Sequence, residues 1–256
     1  IDIDPAEIDK NISAYFGLIG DIKSVLTLLL AKLEKQTHTQ WMDKIQQMRI
    51  QEGIHFVKDG VMHPKDIIEK VMEYTNADTV VATDVGQHQM WVAQYYKFKK
   101  PRTYLTSGGL GTMGFGMGAA IGGCFASGCK KTVLFTGDGS FGMNLNEMAT
   151  AVTNNLPLVI IIFNNGVLGM VRQWQNTFYD QRYSQTTLNR KTDFVKIAEA
   201  FGATGYRVMD IKMLKEALDE AFKAQGPVVI DCSISKDEKV LPMIPPGGSI
   251  DNIITR

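Results

Sequence analysis

The chain has 256 residues, 45% hydrophobic and 21% charged, a balance that suits a soluble globular protein able to bury a core. Lys+Arg and Asp+Glu both number 27, so the formal net charge is zero. Bulk electrostatics therefore steer it toward neither nucleic acid nor an anionic membrane, and any phosphate must be held by a local site. No apolar run reaches the roughly 20 residues that span a bilayer. The N-terminus carries no signal-peptide pattern. Three cysteines, Cys124, Cys129 and Cys232, have no CxxC spacing, which argues against a disulfide framework or a zinc site and for reduced thiols.

Ile1–Pro5 reads as a strand entering a turn, and a chain that opens this way without Met reads as part of something longer. A helix is predicted over Asp21–Leu33; its Val25–Ala31 core is the most apolar stretch near the start, flanked by Lys23 and Lys32. Glu34–Gln51 is rich in Gln and Lys and reads as a connecting helix or linker. These segments make a first zone, residues 1–60. The second zone, 61–235, alternates apolar strands (Thr79–Thr83, Thr132–Thr136, Leu158–Phe163 and Val228–Cys232) with helical patterns (Pro64–Asn76, Gly111–Ser127, Asn144–Asn155, Thr192–Phe201 and Lys212–Ala224). Pro64 and Asp193 stand where first-turn residues belong. Short aliphatic runs of this kind fit strands buried on both faces of a parallel sheet. The alternation predicts an α/β fold, a doubly wound, mostly parallel sheet with helices on both faces. The third zone, 236–256, holds Pro242, Pro245, Pro246, Gly247 and Gly248, and continues neither helix nor strand comfortably. No fixed-period repeat is present.

In such sheets ligands sit beyond the carboxyl ends of strands. The Thr132–Thr136 strand runs into Gly137-Asp138-Gly139-Ser140, where glycines allow close approach and Asp138 offers a hard oxygen. The Leu158–Phe163 strand runs into Asn164-Asn165-Gly166. Each motif alone is more often a turn. Together, one helix and one strand apart, they predict two loops side by side, with Asp138 and Asn165 sharing one cation. Oxygen-only ligands favour Mg²⁺ or Ca²⁺, and one Asp with one neutral Asn suits a metal balanced mainly by phosphate oxygens.

Gly-Asp-Gly, about 25 residues, then Asn-Asn resembles the signature of thiamine-diphosphate enzymes. The resemblance implies Mg²⁺ held by the Asp138 and Asn165 side chains and the Val167 carbonyl. Further stretches are similar to the acetolactate synthase (acetohydroxyacid synthase) family over essentially the whole chain: Asp84-Val85-Gly86-Gln87-His88-Gln89-Met90-Trp91, Thr106–Gly114, Gly169-Met170-Val171-Arg172-Gln173-Trp174-Gln175 and Leu241–Gly248. Ile1–Asn11 looks like the end of that family's central domain. Met117-Gly118 stands where relatives often have Leu-Pro.

The family's cofactor contacts fall here on Gly86, Gln87 and His88, expected as a third phosphate-facing loop, and on Gly137, Asp138, Gly139, Ser140, Asn165, Val167, Leu168 and Gly169. The Gly111 carbonyl and the Met113 N–H match the groups that bond the aminopyrimidine. The Met113 side chain matches the apolar wedge that bends the cofactor. Met143 and Met170 are further pocket candidates. Trp174 matches the residue that narrows the acceptor pocket and favours 2-oxobutyrate over pyruvate, a mark of the biosynthetic, FAD-containing enzymes. His38, Trp41, His55 and His63 have no motif around them and read as structural.

The implied reaction is decarboxylation of pyruvate and ligation to a second 2-oxo acid, giving 2-acetolactate or 2-aceto-2-hydroxybutyrate. The implied cofactors are thiamine diphosphate, Mg²⁺ and FAD, the last mostly through a central domain beyond this chain. The implied partners are a second catalytic chain in a homodimer and a small regulatory subunit; the implied location is cytoplasm or an organellar stroma or matrix. No segment resembles the family's essential glutamate, expected on a separate N-terminal domain. No catalytic residue is therefore assigned here, Glu147 reads as part of a helix, and the polypeptide alone is expected to be inactive. Another thiamine-diphosphate 2-oxo-acid decarboxylase or oxidase, or a non-catalytic cofactor-binding module, remain as alternatives.

Overall fold

The computed structural model describes residues 1–51 and 60–255; His55 lies outside them. The chain divides into two compact units, Ile1–Lys58 and Asp59–Arg256.

In the first unit the expected opening strand is only a bridge between Asp2 and Ile19. Helix α1 spans Ile22–Leu30, its N-terminus capped by the Asp21 carboxylate, which accepts the Ser24 N–H at 2.9 Å. This satisfies one of the donors a helix start leaves free. Helix α2, Thr39–Gln51, falls within the polar stretch expected as a connector.

In the second unit, helices α3 (Pro64–Met72), α4 (Gln87–Tyr95), α5 (Phe115–Ala126), α6 (Asp138–Asn144), α7 (Met148–Thr153), α8 (Gly169–Phe178), α9 (Phe194–Phe201) and α10 (Ile211–Ala221) surround one sheet. Its strands are β1 (Val80–Thr83), β2 (Tyr104–Leu105), β3 (Thr132–Gly137), β4 (Leu158–Asn164), β5 (Thr204–Val208) and β6 (Val228–Ser233). The order is β2-β1-β3-β4-β6-β5, and every described pair is parallel.

The apolar runs fold this way because successive side chains leave opposite faces of a strand. Val133, Phe135, Val159, Ile161 and Phe163 enter a core with Ile67, Ile68, Trp91 and Leu218 from α3, α4 and α10. The alternate residues Leu134, Leu158, Ile160 and Ile162 enter a second core with Met117, Met148, Phe194 and Ala198 from α5, α7 and α9. Helices thus cover both faces, as expected. Truncating one such residue, Leu134 or Ile160, to Ala costs about 2–5 kcal/mol.

β2 and β5 were not among the expected strands. They are the two edge strands. The expected Asn144–Asn155 helix is instead a 3-10 turn, Leu145–Glu147, followed by α7. Residues 236–255 lie in the second unit: Trp91 Nε1 donates to the Lys239 carbonyl at 3.1 Å, and Val240 is fully buried. His63 precedes α3, and its Nδ1 lies 2.6 Å from the Glu238 carboxylate.

The chain leaves β1 for β2 on one side and then crosses to β3 on the other. That reversal opens a crevice beyond the carboxyl ends of β1 and β3, the place where doubly wound sheets take ligands.

Candidate functional site

Three chain segments meet at that crevice, all following parallel strands. After β1, Asp84 and Val85 lead to Gly86, which starts α4 at a φ of 151°. Gln87 and His88 were expected in a loop; they form the first turn of α4 instead. Only glycine adopts that φ without strain, and a side chain there would meet the His88 ring at 2.9 Å. After β3, the helix begins directly at Asp138. After β4, the chain turns at Asn165–Gly166, where Gly166 has a φ of 67°, and enters α8 at Gly169.

β3 and β4 pair in register through Gly137 opposite Phe163, so Asp138 and Asn165 leave neighbouring strand ends on the same edge. Both line one cleft together with Val85, Gly86, Gln87 and His88. Its wall continues through Met113, Gly137, Gly139, Ser140, Val167, Leu168, Gly169 and Met170. Most sequence-predicted site residues are therefore in one place. Three stand apart from that lining. Gly111 turns at a φ of 62° in the segment leading to Met113. Met143 is 57% exposed, with its Cβ against Gly114. Trp174 packs edge-on to Phe178 at 5.6 Å in a shallow apolar groove with Met170, Val171, Tyr179 and Arg182.

The two asparagines have separate tasks. Asn164 Nδ2 donates to the buried Asp231 carboxylate at 2.8 Å, tying β4 to β6. Asn165 faces the cleft, and its Oδ1 accepts the Val167 N–H at 3.1 Å, which fixes the carboxamide without using all of its oxygen's acceptor capacity.

Burial pushes the Asp138 carboxyl up to about 6; hydrogen bonds from the Gly139 and Gly166 N–H groups and the nearby Arg190 charge act in the opposite direction. The Gly166 contact brings this carboxylate to the loop that carries Asn165. Arg190 also donates to the Asp138 carbonyl at 3.1 Å. His88 is buried, and that burial pushes it down to about 3 against a hydrogen bond to the Asp84 main chain. Its Nε2 and the Gln87 Oε1 are the buried side-chain polar atoms that lack a partner among the described residues. Unpaired buried groups of this kind cost about 1–3 kcal/mol each. Their presence on one helical turn, in the cleft wall, fits a polar ligand that supplies what the protein does not.

Among the described residues no three His, Cys, Asp or Glu side chains cluster as a metal site. The cleft's donors are one carboxylate and neutral oxygens. That set suits a hard cation which takes most of its charge balance from an anionic ligand. The residues present fit thiamine diphosphate with Mg²⁺ on this ground.

Several contributors escaped the sequence reading. Gln173 is buried; its Oε1 accepts from Gln87 Nε2 at 2.9 Å and from the Val240 N–H at 2.8 Å, while its Nε2 donates to the Val240 carbonyl at 2.9 Å. Gln87 Nε2 also donates to the Glu238 carbonyl at 2.8 Å. This clamp turns the Gln87 amide so that its oxygen is left unpaired. Asp84 accepts the N–H groups of Val85 (2.8 Å), Gly114 (2.8 Å) and Gly116 (3.2 Å), which holds the Met113 segment to the end of β1. A Cβ on Gly116 would stand 2.8 Å from Asp84, so the approach needs glycine. Both links join residues far apart in sequence, and no local spacing announces them.

Comparison with known proteins agrees with this geometry. Residues 84–232 match the family described as thiamine pyrophosphate enzyme, C-terminal TPP binding domain. The chain is 43% identical to the probable acetolactate synthase large subunit of Methanocaldococcus jannaschii over 264 residues, covering 99% of this chain and 44% of that protein. It is 38% identical to the acetolactate synthase isozyme 2 large subunit of Escherichia coli, covering 100% and 46%. It is 39% identical to the chloroplastic acetolactate synthase 1 of Nicotiana tabacum, covering 100% and 40%. The chain spans less than half the length of these curated relatives. No helix among the described residues is long and apolar enough to cross a membrane. A Gly-Asp-Gly strand end beside an Asn-Asn-Gly strand end, in a matched stretch that covers more than half of the sequence, makes this chain a member of the thiamine pyrophosphate enzyme family through its C-terminal TPP-binding domain.

Proposed function

We propose that this chain supplies the diphosphate- and metal-binding half of an acetolactate synthase active site, with Mg²⁺ held by Asp138, Asn165 and the Val167 carbonyl. The observation that carries the reading is the pair of adjacent strand ends, β3 and β4, which bring Asp138 and Asn165 into one cleft beside two unpartnered buried atoms. The diphosphate then lies against Gln87, His88, Gly137, Gly139, Ser140, Leu168 and Gly169. The starts of α4 and α8 add free N–H groups and the positive ends of helix dipoles. The Gly111 carbonyl and Met113 N–H hold the pyrimidine, and the Met113 side chain, whose Cε lies 3.7 Å from a Cβ built on Gly139, props the bend between the rings. Met170 bounds the same pocket, and Met143 stands outside it.

Bound here, the cofactor's thiazolium supplies the electron sink for loss of carbon dioxide from pyruvate. The protein's part is to orient the ring, exclude water and choose the second 2-oxo acid. Trp174 narrows that acceptor site toward 2-oxobutyrate. FAD, a second catalytic chain in a homodimer and a small regulatory subunit belong to the working enzyme. Its place is branched-chain amino-acid biosynthesis, in cytoplasm or organelle. The glutamate needed at the pyrimidine comes from an N-terminal domain, so the 256-residue chain alone turns over no pyruvate.

Isothermal titration of the chain with thiamine diphosphate, with and without Mg²⁺, tests the binding claim. Binding that needs the cation and is lost in Asp138→Asn is expected; equal affinity in excess chelator refutes it. In the full-length catalytic chain, acetolactate is the expected product from pyruvate, and acetaldehyde or acetyl phosphate would move the assignment to another 2-oxo-acid enzyme.

A further inference from the structure

α5 ends in a turn whose bonding pattern places two cysteines face to face. Gly128 adopts a φ of +74°, and its N–H donates to the Phe125 carbonyl at 3.0 Å. The Cys129 N–H donates to the Cys124 carbonyl at 2.8 Å. These two nested bonds form a Schellman motif, in which the side chains of the third-last helical residue and the second residue past the C-cap meet, usually as an apolar contact. Here both positions are cysteine. The single 2.8 Å bond between their main chains keeps the two Cα atoms near the roughly 4.4–6.8 Å separation that a disulfide spans. Cys129 is exposed and Cys124 is buried. The two thiols also sense each other: after burial, the neighbouring Cys129 thiol is the next cause that raises the Cys124 pKa.

We propose that Cys124 and Cys129 are a redox-active dithiol that closes to an intramolecular disulfide when a small disulfide oxidant, such as oxidised glutathione, reaches the α5–β3 turn. Cys129 is the entry point because it alone meets solvent. Its thiolate attacks one sulfur of the oxidant, forming a mixed disulfide and releasing one glutathione thiolate, which takes up the proton Cys129 lost. The Cys124 sulfur, after giving its proton to solvent, then attacks Cys129 Sγ and releases the second glutathione. Two protein thiols are oxidised and one glutathione disulfide is reduced to two thiols. The raised pKa of Cys124 slows this second step, but proximity within one turn compensates, since the attack is intramolecular. Cys232, buried in β6 with its thiol pushed far up by burial, takes no part and serves as an internal control.

The test is native incubation of the whole chain with oxidised glutathione, followed by thiol counting after denaturation, intact mass and peptide mapping. Free thiols fall from three to one, the mass drops by two hydrogens, and a Cys124–Cys129 linked peptide appears that dithiothreitol removes. Cys129→Ser, at an exposed position, keeps both of its thiols. Cys124→Ala stops at a stable glutathione adduct on Cys129. The inference fails if the wild-type chain keeps three thiols, accumulates the Cys129 adduct without resolving it, or only forms intermolecular dimers through Cys129.

Discussion

Replacing Asp138 with Asn changes the pH dependence of stability in a direction set by its burial. The carboxyl is raised from an ordinary 3.8 to about 6, so the folded chain holds its proton where the unfolded chain has released it. Stability from this group is therefore fully present below about pH 4 and is lost as pH rises through about 6. At 1.36 kcal/mol per pKa unit the full effect is roughly 3 kcal/mol. Asn stays neutral at every pH and does not lose it. In chelator, urea unfolding should therefore show Asp138→Asn more stable than the natural chain. The gap should widen from about 2 kcal/mol at pH 5 to about 3 kcal/mol at pH 7.5. Saturating Mg²⁺ and thiamine diphosphate should reverse the order, because a ligand that binds only the folded chain stabilises it by RT ln(1 + [L]/Kd) and the variant has lost the metal's carboxylate. The same proton competes with the metal, so cation affinity of the natural chain should fall about tenfold per pH unit below 6. Parallel pH profiles for the two proteins, or a natural chain more stable than the variant at pH 7.5 without metal, would falsify the account.

Three further outcomes follow from neighbouring contacts. The His88 ring, pushed down to about 3 by burial, should show no protonation between pH 5 and 8 by NMR in the ligand-free chain; a midpoint near 6.5 contradicts its placement. Gly169→Ala puts a Cβ 2.0 Å from Gln87 Oε1 and 2.9 Å from Asn165 Nδ2, so both side chains must swing. Cofactor affinity should drop at least tenfold by titration, and the melting temperature should fall too because the Gln87 amide leaves its clamp; an unchanged Kd would clear both residues of a binding role. Gln173→Leu leaves Gln87 Nε2 and the Val240 main chain short of partners and should cost about 2–4 kcal/mol in urea unfolding; a loss under about 0.5 kcal/mol would show that the clamp is dispensable.

The central strands were legible because each is buried on both faces and therefore apolar at nearly every position. β5, Thr204–Val208, is an edge strand with exposed Thr204 and Arg207, so the same template passes over it. The two-residue β2 is too short to leave any pattern. The glycine-rich motifs pointed to the right places but hid α4 and the points at which α6 and α8 begin. α4, α6 and α8 each begin on residues that read as turn chemistry, because the chemistry of a helix start and of a turn is nearly the same: small residues, side-chain acceptors and free N–H groups. The Asp138–Asn165 partnership could be inferred because one βαβ unit separates the two motifs. The Gln87–Gln173 bond crosses 86 residues, and the carbonyls that complete the clamp belong to a Pro- and Gly-rich tail whose composition says nothing about where it docks.

The location of the site and the unpartnered polar atoms in its wall have one cause. Inside the two cores the strands pair completely, and Asn164, Asp231 and Arg207 satisfy one another across β4, β6 and β5. At the reversal of strand order no neighbouring strand covers the loops, so backbone and side-chain groups can be left facing inward without protein partners. Gln87 Oε1 and His88 Nε2 lie there unpartnered, beside the buried Asp138 carboxyl, which accepts from the Gly139 and Gly166 N–H groups. Each lowers the stability of the unliganded chain, and each is a group that a metal–diphosphate pair would engage. A diphosphate beside His88 favours the imidazolium, and a cation beside Asp138 favours the carboxylate. Ligand binding should therefore move the two pKa values toward each other, raising that of His88 and lowering that of Asp138.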